Sequence, residues 1–367
     1  MFMKKMMIDY MKEVNQIGNR IIDSRKELTK PFISKLKNVK FREILLVASG
    51  SSSNIARNAK YFIEKIVSVP VNVISPATFQ LYHASLVQED SLVVLLSQGG
   101  YSTNAISAAE AAKKTKGTVI GFCNYLDSPM ARLLKDVYSY GNEPGDYFVA
   151  KGFTISTLSL MIHFLEYALS KDAVTKEDYE EYIVQFRKSL DKYDELIEKT
   201  EAFYLNHVQL CQEINRVLMI GQGPTFADAM EGKLKFTETY GASANEYELE
   251  EFLHGPDYAV NKDTTVLLIC PKNGKSYERF KEVYENLPTL TNRIIFITTD
   301  TSLNGEGIID VDDEGIDETI SCLFLIAPMQ FIADRICLDL RVSAETLSVY
   351  NFGQNVAFKA NDWQGKF

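Results

Sequence analysis

Glu43-Ile44-Leu45-Leu46-Val47-Ala48-Ser49-Gly50-Ser51-Ser52-Ser53-Asn54 (43–54) decides the fold, because a short apolar run passes directly into small hydroxyl residues. Leu92–Leu96 repeats this form and runs into Ser97-Gln98-Gly99-Gly100-Tyr101-Ser102-Thr103. A helical pattern follows each run, and Val71–Ile74 and Thr118–Cys123 supply two more apolar segments. Uniformly apolar strands that alternate with helices indicate a parallel sheet covered on both faces.

The pattern returns in the second half of the chain. Apolar runs recur at Arg216–Ile220, Thr265–Cys270, Arg293–Thr298 and Gly307–Val311, and their ends keep a nearly constant offset from those of the first half. This offset indicates an internal duplication of a unit of roughly 130 residues. We therefore predict an α/β protein with two tandem flavodoxin-like domains, each a three-layer α/β/α sandwich around a parallel sheet.

Helices are expected to precede and to connect the two domains. Residues 2–39 show helical periodicity, and Pro31 is expected to break or restart that helix. Residues 152–214 carry no strand signal and predict two or three helices. The predicted organisation comprises an N-terminal helical segment at 1–40, a first domain at 41–172, connecting helices at 173–214, a second domain at 215–345 and a tail at 346–367.

The composition limits the classes of protein to which this chain can belong. The 367 residues carry a net charge of -10, which argues against nucleic-acid binding. The N-terminus lacks the pattern of a secretory signal, and the apolar stretches Phe153–Leu169 and Ile320–Cys337 are interrupted by polar residues, as in buried helices. Five scattered cysteines without a C-x-x-C pair are typical of reduced core thiols. We expect a cytoplasmic protein that binds neither membrane nor nucleic acid.

Hydroxyl side chains follow two strands of the first predicted sheet. Ser51 and Ser52 follow one strand, and Ser97, Gln98 and Ser102 follow the other. In open parallel sheets ligands bind beyond the carboxyl ends of the strands, where backbone N–H groups at helix starts favour anions. The alternative is that these residues only cap helices. We expect one phosphate site in each chain, because the corresponding loops of the second half are poorer in hydroxyls.

A second candidate site lies in Met230–Tyr240 and Glu251–Pro256. Glu231 and Glu238 are two helical turns apart and share one face, and His254 follows in a Gly-Pro turn. Two carboxylates and a histidine suit proton transfer near neutral pH. The alternative is a helix with solvated acids and a structural histidine.

These motifs together resemble the double sugar isomerase (SIS) domain proteins over roughly residues 40–340. The chain is similar to the isomerase half of glucosamine-6-phosphate synthase and to the fructosamine-6-phosphate deglycases. The family's phosphate loops C-G-T-S and S-Q-S-G-E-T resemble residues 49–52 and 97–102. The resemblance implies that Ser52, Ser97, Gln98 and Ser102 bind phosphate. Gly99 replaces a contacting serine, so that only its backbone N–H would serve.

The resemblance also implies catalytic roles. The family's motif E-G-x-L-K-x-x-E resembles residues 231–238, and its motif G-E-x-x-H-G-P resembles residues 250–256. Glu238 would move the proton between C1 and C2, with Glu231 beside it, and His254 would open the sugar ring. The family's histidine reaches the neighbouring subunit's site, which implies an obligate homodimer or a tetramer with shared sites. The tail would cover the active site, and Lys359 or Lys366 would form the family's Schiff base. Alternatively the tail packs through Trp363 and Phe367.

The expected function is an enzyme that acts on an aminated or glycated hexose 6-phosphate. It would be a fructosamine-6-phosphate deglycase or an amino-sugar-phosphate deaminase or isomerase, and glutamine-dependent amination is not expected. The chemistry requires no metal or cofactor, and His83, His163 and His207 lack metal-ligand spacing. The alternative is a non-catalytic regulator that binds a sugar phosphate.

Overall fold

The computed structural model describes residues 5–142, 145–342, 356 and 358–360. They divide into two compact units, one formed by residues 16–184 with 356 and 358–360, the other by residues 5–15 and 185–342. One boundary between the units falls inside a long helix, Lys176–Asn206.

The first unit contains a parallel sheet of five strands in the order β2-β1-β3-β4-β5. The strands are β1 Glu43–Val47, β2 Val71–Ile74, β3 Ser91–Leu96, β4 Thr118–Phe122 and β5 Val137–Tyr138. Val47 lies opposite Leu95, so β1 and β3 end level with each other. The loops that follow these two strands therefore start side by side.

The second unit repeats this order as β7-β6-β8-β9-β10, again with parallel pairings. The strands are β6 Arg216–Gly221, β7 Ser243–Glu248, β8 Thr265–Cys270, β9 Ile294–Thr298 and β10 Ile308–Asp310. The chain thus has two tandem three-layer α/β/α domains, and the predicted fold class is confirmed. β5 and β7 were missed in the sequence.

The helices, in chain order, are α1 Met7–Met11, α2 Val14–Leu36, α3 Ser51–Val67, α4 Pro76–Thr78, α5 Thr103–Ala112, α6 Pro129–Leu133, α7 Ala150–Ser170, α8 Lys176–Asn206, α9 Val208–Gln212, α10 Phe226–Tyr240, α11 Leu249–Phe252, α12 Tyr277–Asn286, α13 Glu318–Leu325 and α14 Ala327–Asp339. The predicted break at Pro31 is wrong, because α2 continues through this exposed residue. Phe32 is fully buried against Phe122 and Phe164. Burial of that ring offsets the hydrogen bond that proline cannot donate.

Two helical segments, Ala150–Ser170 and Glu318–Asp339, are long and apolar enough to cross a membrane. However, 94% of each apolar window is buried within the protein, and both are therefore core helices, as predicted. The five cysteines are buried and free, which also agrees with the sequence.

Candidate functional site

The end of β6 positions the acidic helix of the second unit. The chain leaves Gly221, turns through Gly223–Thr225 and enters α10. Glu231, Lys235 and Glu238 follow one another at helical spacings of four and three residues and therefore share a face. Lys235 Nζ lies 3.0 Å from Glu231 Oε1 and 3.2 Å from Glu238 Oε2. We call these three residues the acid–lysine triad.

The three side chains of the triad differ in their exposure to solvent. The side chains of Glu231 and Lys235 are fully buried, whereas that of Glu238 is 38% exposed. Burial lowers the pKa of Lys235, but attraction by the two carboxylates outweighs it and raises that pKa above its usual value. Lys235 therefore stays charged. Glu238 is the member of the triad that a substrate can reach.

The electrostatics of Glu238 suit a general base. Burial is the main cause that raises its pKa, Lys235 opposes the rise, and the charge of Glu231 adds to it. A carboxylate whose pKa is raised accepts a proton more readily near neutral pH. From the sequence, Lys235 received no role. The spacing of Lys235 from each glutamate was the signal that could have revealed it.

His254 lies just beyond α11 and is exposed. Its Nδ1 is 2.7 Å from the carbonyl oxygen of Glu250. Because a carbonyl oxygen only accepts, Nδ1 is the donor, and in the neutral ring Nε2 is left as the acceptor. The recorded hydrogen bond of this ring thus goes to its own helix turn and not to Glu238.

In the first unit, the two hydroxyl loops are tied together. α3 begins at Ser51, directly after Gly50, which has a left-handed φ of 57°. The backbone N–H of Gln98 donates to Ser52 Oγ at 3.3 Å, and that of Gly100 donates to Ser97 Oγ at 3.1 Å. The predicted phosphate-binding residues Ser51, Ser52, Ser97, Gln98, Gly99 and Ser102 therefore belong to neighbouring loops at one edge of the first sheet.

The side chain of Gln98 contacts α7. Its Nε2 donates to the carbonyl oxygen of Gly152 at 2.8 Å and to Ser156 Oγ at 3.0 Å, both on α7. An amide nitrogen has two hydrogens, and both are committed here. Gln98 therefore braces the loop against α7, and half-buried Gly99 beside it has no side chain to offer a ligand.

Lys359 also lies at the second hydroxyl loop. It forms an antiparallel bridge with Ser102, and its Nζ is 3.4 Å from Ser102 Oγ. Burial lowers the pKa of this lysine, which favours the neutral, nucleophilic amine. Lys366, Trp363 and Phe367 lie outside the described residues. Of the two lysines proposed for the Schiff base, Lys359 is the one that can be placed.

Comparison with known proteins extends these observations. A family model described as SIS domain matches residues 36–163, the part that contains the first sheet and its hydroxyl loops. The C-terminal domain of glucosamine-fructose-6-phosphate aminotransferase from Francisella tularensis has the same fold, with a TM-score of 0.77 at 20% identity, over 90% of this chain and 95% of that one. Residues 36–163 therefore match the SIS domain family.

Some relatives of the chain are longer proteins. A glutamine–fructose-6-phosphate aminotransferase from Caldanaerobacter subterraneus is 26% identical over 300 residues, which is 80% of this chain and 48% of the relative. A structure named glucosamine-6-phosphate deaminase from Thermotoga maritima shares the fold, with a TM-score of 0.70 at 20% identity, over 92% of this chain and 97% of that chain. The chain spans about half the length of the curated relatives it matches.

Proposed function

We propose that this protein is a sugar-phosphate enzyme of the isomerase type, acting on an aminated or glycated hexose 6-phosphate. It would be a fructosamine-6-phosphate deglycase or an amino-sugar-phosphate deaminase or isomerase. The observation that carries the proposal is the acid–lysine triad, in which one partly exposed carboxylate has a raised pKa. Relatives named as fructose-6-phosphate aminotransferases and as a glucosamine-6-phosphate deaminase support the substrate class.

The chemistry of a ketoamine substrate illustrates the proposed role of Glu238. The carboxylate removes a proton from C1, next to the carbonyl, the electron pair forms the C1=C2 bond, and the C2 oxygen takes a proton to give an enaminol. Return of the first proton to C2 gives a protonated imine at C1. Water then adds to the imine, and the products are the aldose 6-phosphate and the free amine. A base whose pKa lies near the working pH performs both proton transfers.

The other predicted residues complete the proposal. Ser51, Ser52, Ser97 and Ser102 hold the phosphate, together with backbone N–H groups at the starts of α3 and α5. Holding the phosphate fixes the reacting carbons against the base and thereby lowers the entropic part of the barrier. Lys359, with its lowered pKa, is the amine for a Schiff base with an open-chain ketose.

A homodimer belongs to the same proposal. His254 is exposed on its own subunit, and Tyr258 nearby is 92% exposed. Large exposed aromatic side chains are typical of interfaces. In a dimer His254 would open the sugar ring in the partner's site.

Activity assays with three substrates test the proposal. The protein is incubated separately with fructoselysine 6-phosphate, glucosamine 6-phosphate and fructose 6-phosphate, while released amine and ketose–aldose exchange are followed. Glu238→Gln should lower the activity on the best substrate at least about 100-fold, the scale of general-base catalysis. Glu282→Gln, an exposed carboxylate paired with Arg279 on α12, is the matched control and should keep wild-type activity.

Two results would contradict this function. Full activity of Glu238→Gln would refute the assignment of the base. Binding of the sugar phosphates without turnover of any of them would instead identify a regulatory sugar-phosphate-binding protein.

A further inference from the structure

A carboxylate outside the predicted site organises the start of α7. Asp146 Oδ1 accepts from the backbone N–H of Tyr147 at 2.9 Å and of Lys151 at 3.3 Å, and Oδ2 accepts from that of Gly152 at 2.8 Å. The bonds to Lys151 and Gly152 satisfy N–H groups of the first helical turn, which have no partner within the helix. Asp146 therefore acts as the cap of α7.

The turn that Asp146 caps is the one that holds Gln98. Gly152 donates its N–H to Asp146 and offers its carbonyl oxygen to the Gln98 side chain. A methyl group on Gly152 would lie 2.7 Å from Asp146 Oδ2 and 2.8 Å from Gln98 Nε2. The absence of a side chain at position 152 is therefore what allows the cap and the glutamine to meet on one helical turn.

Gln98 connects this turn to the hydroxyl loops. Its backbone N–H donates to Ser52 Oγ, and its carbonyl oxygen accepts from the N–H of Asn124 at 2.8 Å. The residue thus joins the loops after β1, β3 and β4 to α7. A displacement of α7 at Gly152 would move Gln98, and with it the bond that ties the two loops together.

The backbone before α7 is strained. Phe148 and Val149 have φ values of 51° and 58°, in the left-handed region that a β-branched residue such as Val149 rarely adopts. Such conformations persist only where surrounding contacts enforce them, and they cluster at functional sites. The contacts of Asp146 on both sides of this turn are suited to enforce it.

We propose that Asp146 is a positioning residue, which sets the geometry of both hydroxyl loops through Gly152 and Gln98. The identification of the ligand as a phosphate rests on the proposed function, but the connection from Asp146 through Gly152 and Gln98 to the loops does not. Desolvation raises the pKa of Asp146 to about 6, even though the three backbone N–H groups and the charge of Lys151 oppose the rise. An ionised carboxylate kept in such surroundings at neutral pH is typical of functional rather than purely structural groups.

Hydrogen exchange in the unliganded full-length protein tests the connection. Asp146→Asn removes the charge and one acceptor, and Gly152→Ala separates the cap from Gln98 while favouring the helix itself. Both variants should speed amide exchange in residues 97–103 at least about tenfold, since each tenfold corresponds to 1.4 kcal/mol of lost protection. Asp178→Asn is the matched control, because the Asp178 carboxylate accepts a hydrogen bond from Thr175 Oγ1 at the start of α8, after the 21-residue helix α7 has ended.

Titration with inorganic phosphate and steady-state kinetics complete the test. We expect the Kd of phosphate and the KM of the sugar phosphate to rise about tenfold in Asp146→Asn, with kcat changed less than about threefold. Unchanged exchange at 97–103 in both variants would overturn the inference. Faster exchange in a protein that binds neither phosphate nor sugar phosphate would uphold the positioning role and refute the proposed function instead.

Discussion

Replacing Lys235 with methionine tests whether the acid–lysine triad controls the base. The change removes the cation 3.2 Å from Glu238 and keeps a side chain of similar length. Because Lys235 lowers the pKa of Glu238 in the intact triad, its loss should raise that pKa further above the usual value. The base must be ionised to act, so kcat/KM on the acid side of the pH profile should fall.

The geometry sets the size of this effect. At 3.2 Å and an effective dielectric constant of about 20, the Coulomb attraction is at most about 5 kcal/mol. Since 38% of the Glu238 side chain is exposed, solvent screening reduces this value, and we expect a shift of roughly 1–3 pH units. Each unit lowers kcat/KM about tenfold at a pH on the acid limb.

Lys235→Met should also destabilise the fold. Glu231 is fully buried, and a buried carboxylate that loses its cation costs about 3–5 kcal/mol of unfolding free energy. The double variant Glu231→Gln/Lys235→Met removes both buried charges and should recover most of that stability. It removes the repulsion by Glu231 as well, so its acid limb should lie between those of wild type and the single variant.

The assay is the pH dependence of kcat/KM together with urea unfolding of each variant. Lys233→Met is the matched control on the same helix, because Lys233 pairs at 2.7 Å with Glu246 and is 31% exposed. Such partly exposed pairs contribute about 0–1 kcal/mol, so this variant should retain both the pH profile and the stability of the wild type. An acid limb that stays in place in Lys235→Met would refute the role of the triad.

Three further predictions concern other parts of the molecule. Borohydride reduction in the presence of fructose 6-phosphate should add one sugar phosphate to the wild type but not to Lys359→Arg, as measured by mass spectrometry; labelling of the variant at the wild-type level would exclude Lys359. Ser97→Ala combined with Ser102→Ala should weaken phosphate binding at least about 100-fold in calorimetry, since each lost hydrogen bond to a charged ligand costs about 1.5–3 kcal/mol. His163 is fully buried, and burial lowers its pKa to about 4. The unfolding free energy should therefore fall by about 3 kcal/mol as the pH drops from 6.5 to 4. His163→Phe should lack this fall, and an equal dependence of the unfolding free energy on pH in both proteins would contradict the prediction.

The sequence revealed the central strands, most of which are buried along nearly their whole length, and also the edge strands β2 and β10, which are only partly buried. β8, for example, is buried at every position and was predicted with the bounds Thr265–Cys270. β7 is half exposed along Ser243–Glu248 and lies at the edge of its sheet, so polar residues interrupt any apolar signal. β5 has only two residues, too few for a periodic pattern. Local patterns report apolar runs, whereas β7, whose residues are mostly polar, is held in the sheet by backbone pairing with β6.

The residues of the candidate site also differ in how visible they are in the sequence. Glu238 and Ser97 stand out because polar residues at the end of a strand or on one helix face are visible in a linear pattern. Gln98 and Asp146 are different, since their partners lie on α7, more than 50 residues from Gln98 and on the far side of a strained turn. A sequence shows which groups can donate or accept, but the partner is chosen by the packing of distant elements. The role of Gln98 in phosphate binding therefore stays a prediction, and its contacts with Gly152 and Ser156 became visible only in the structure.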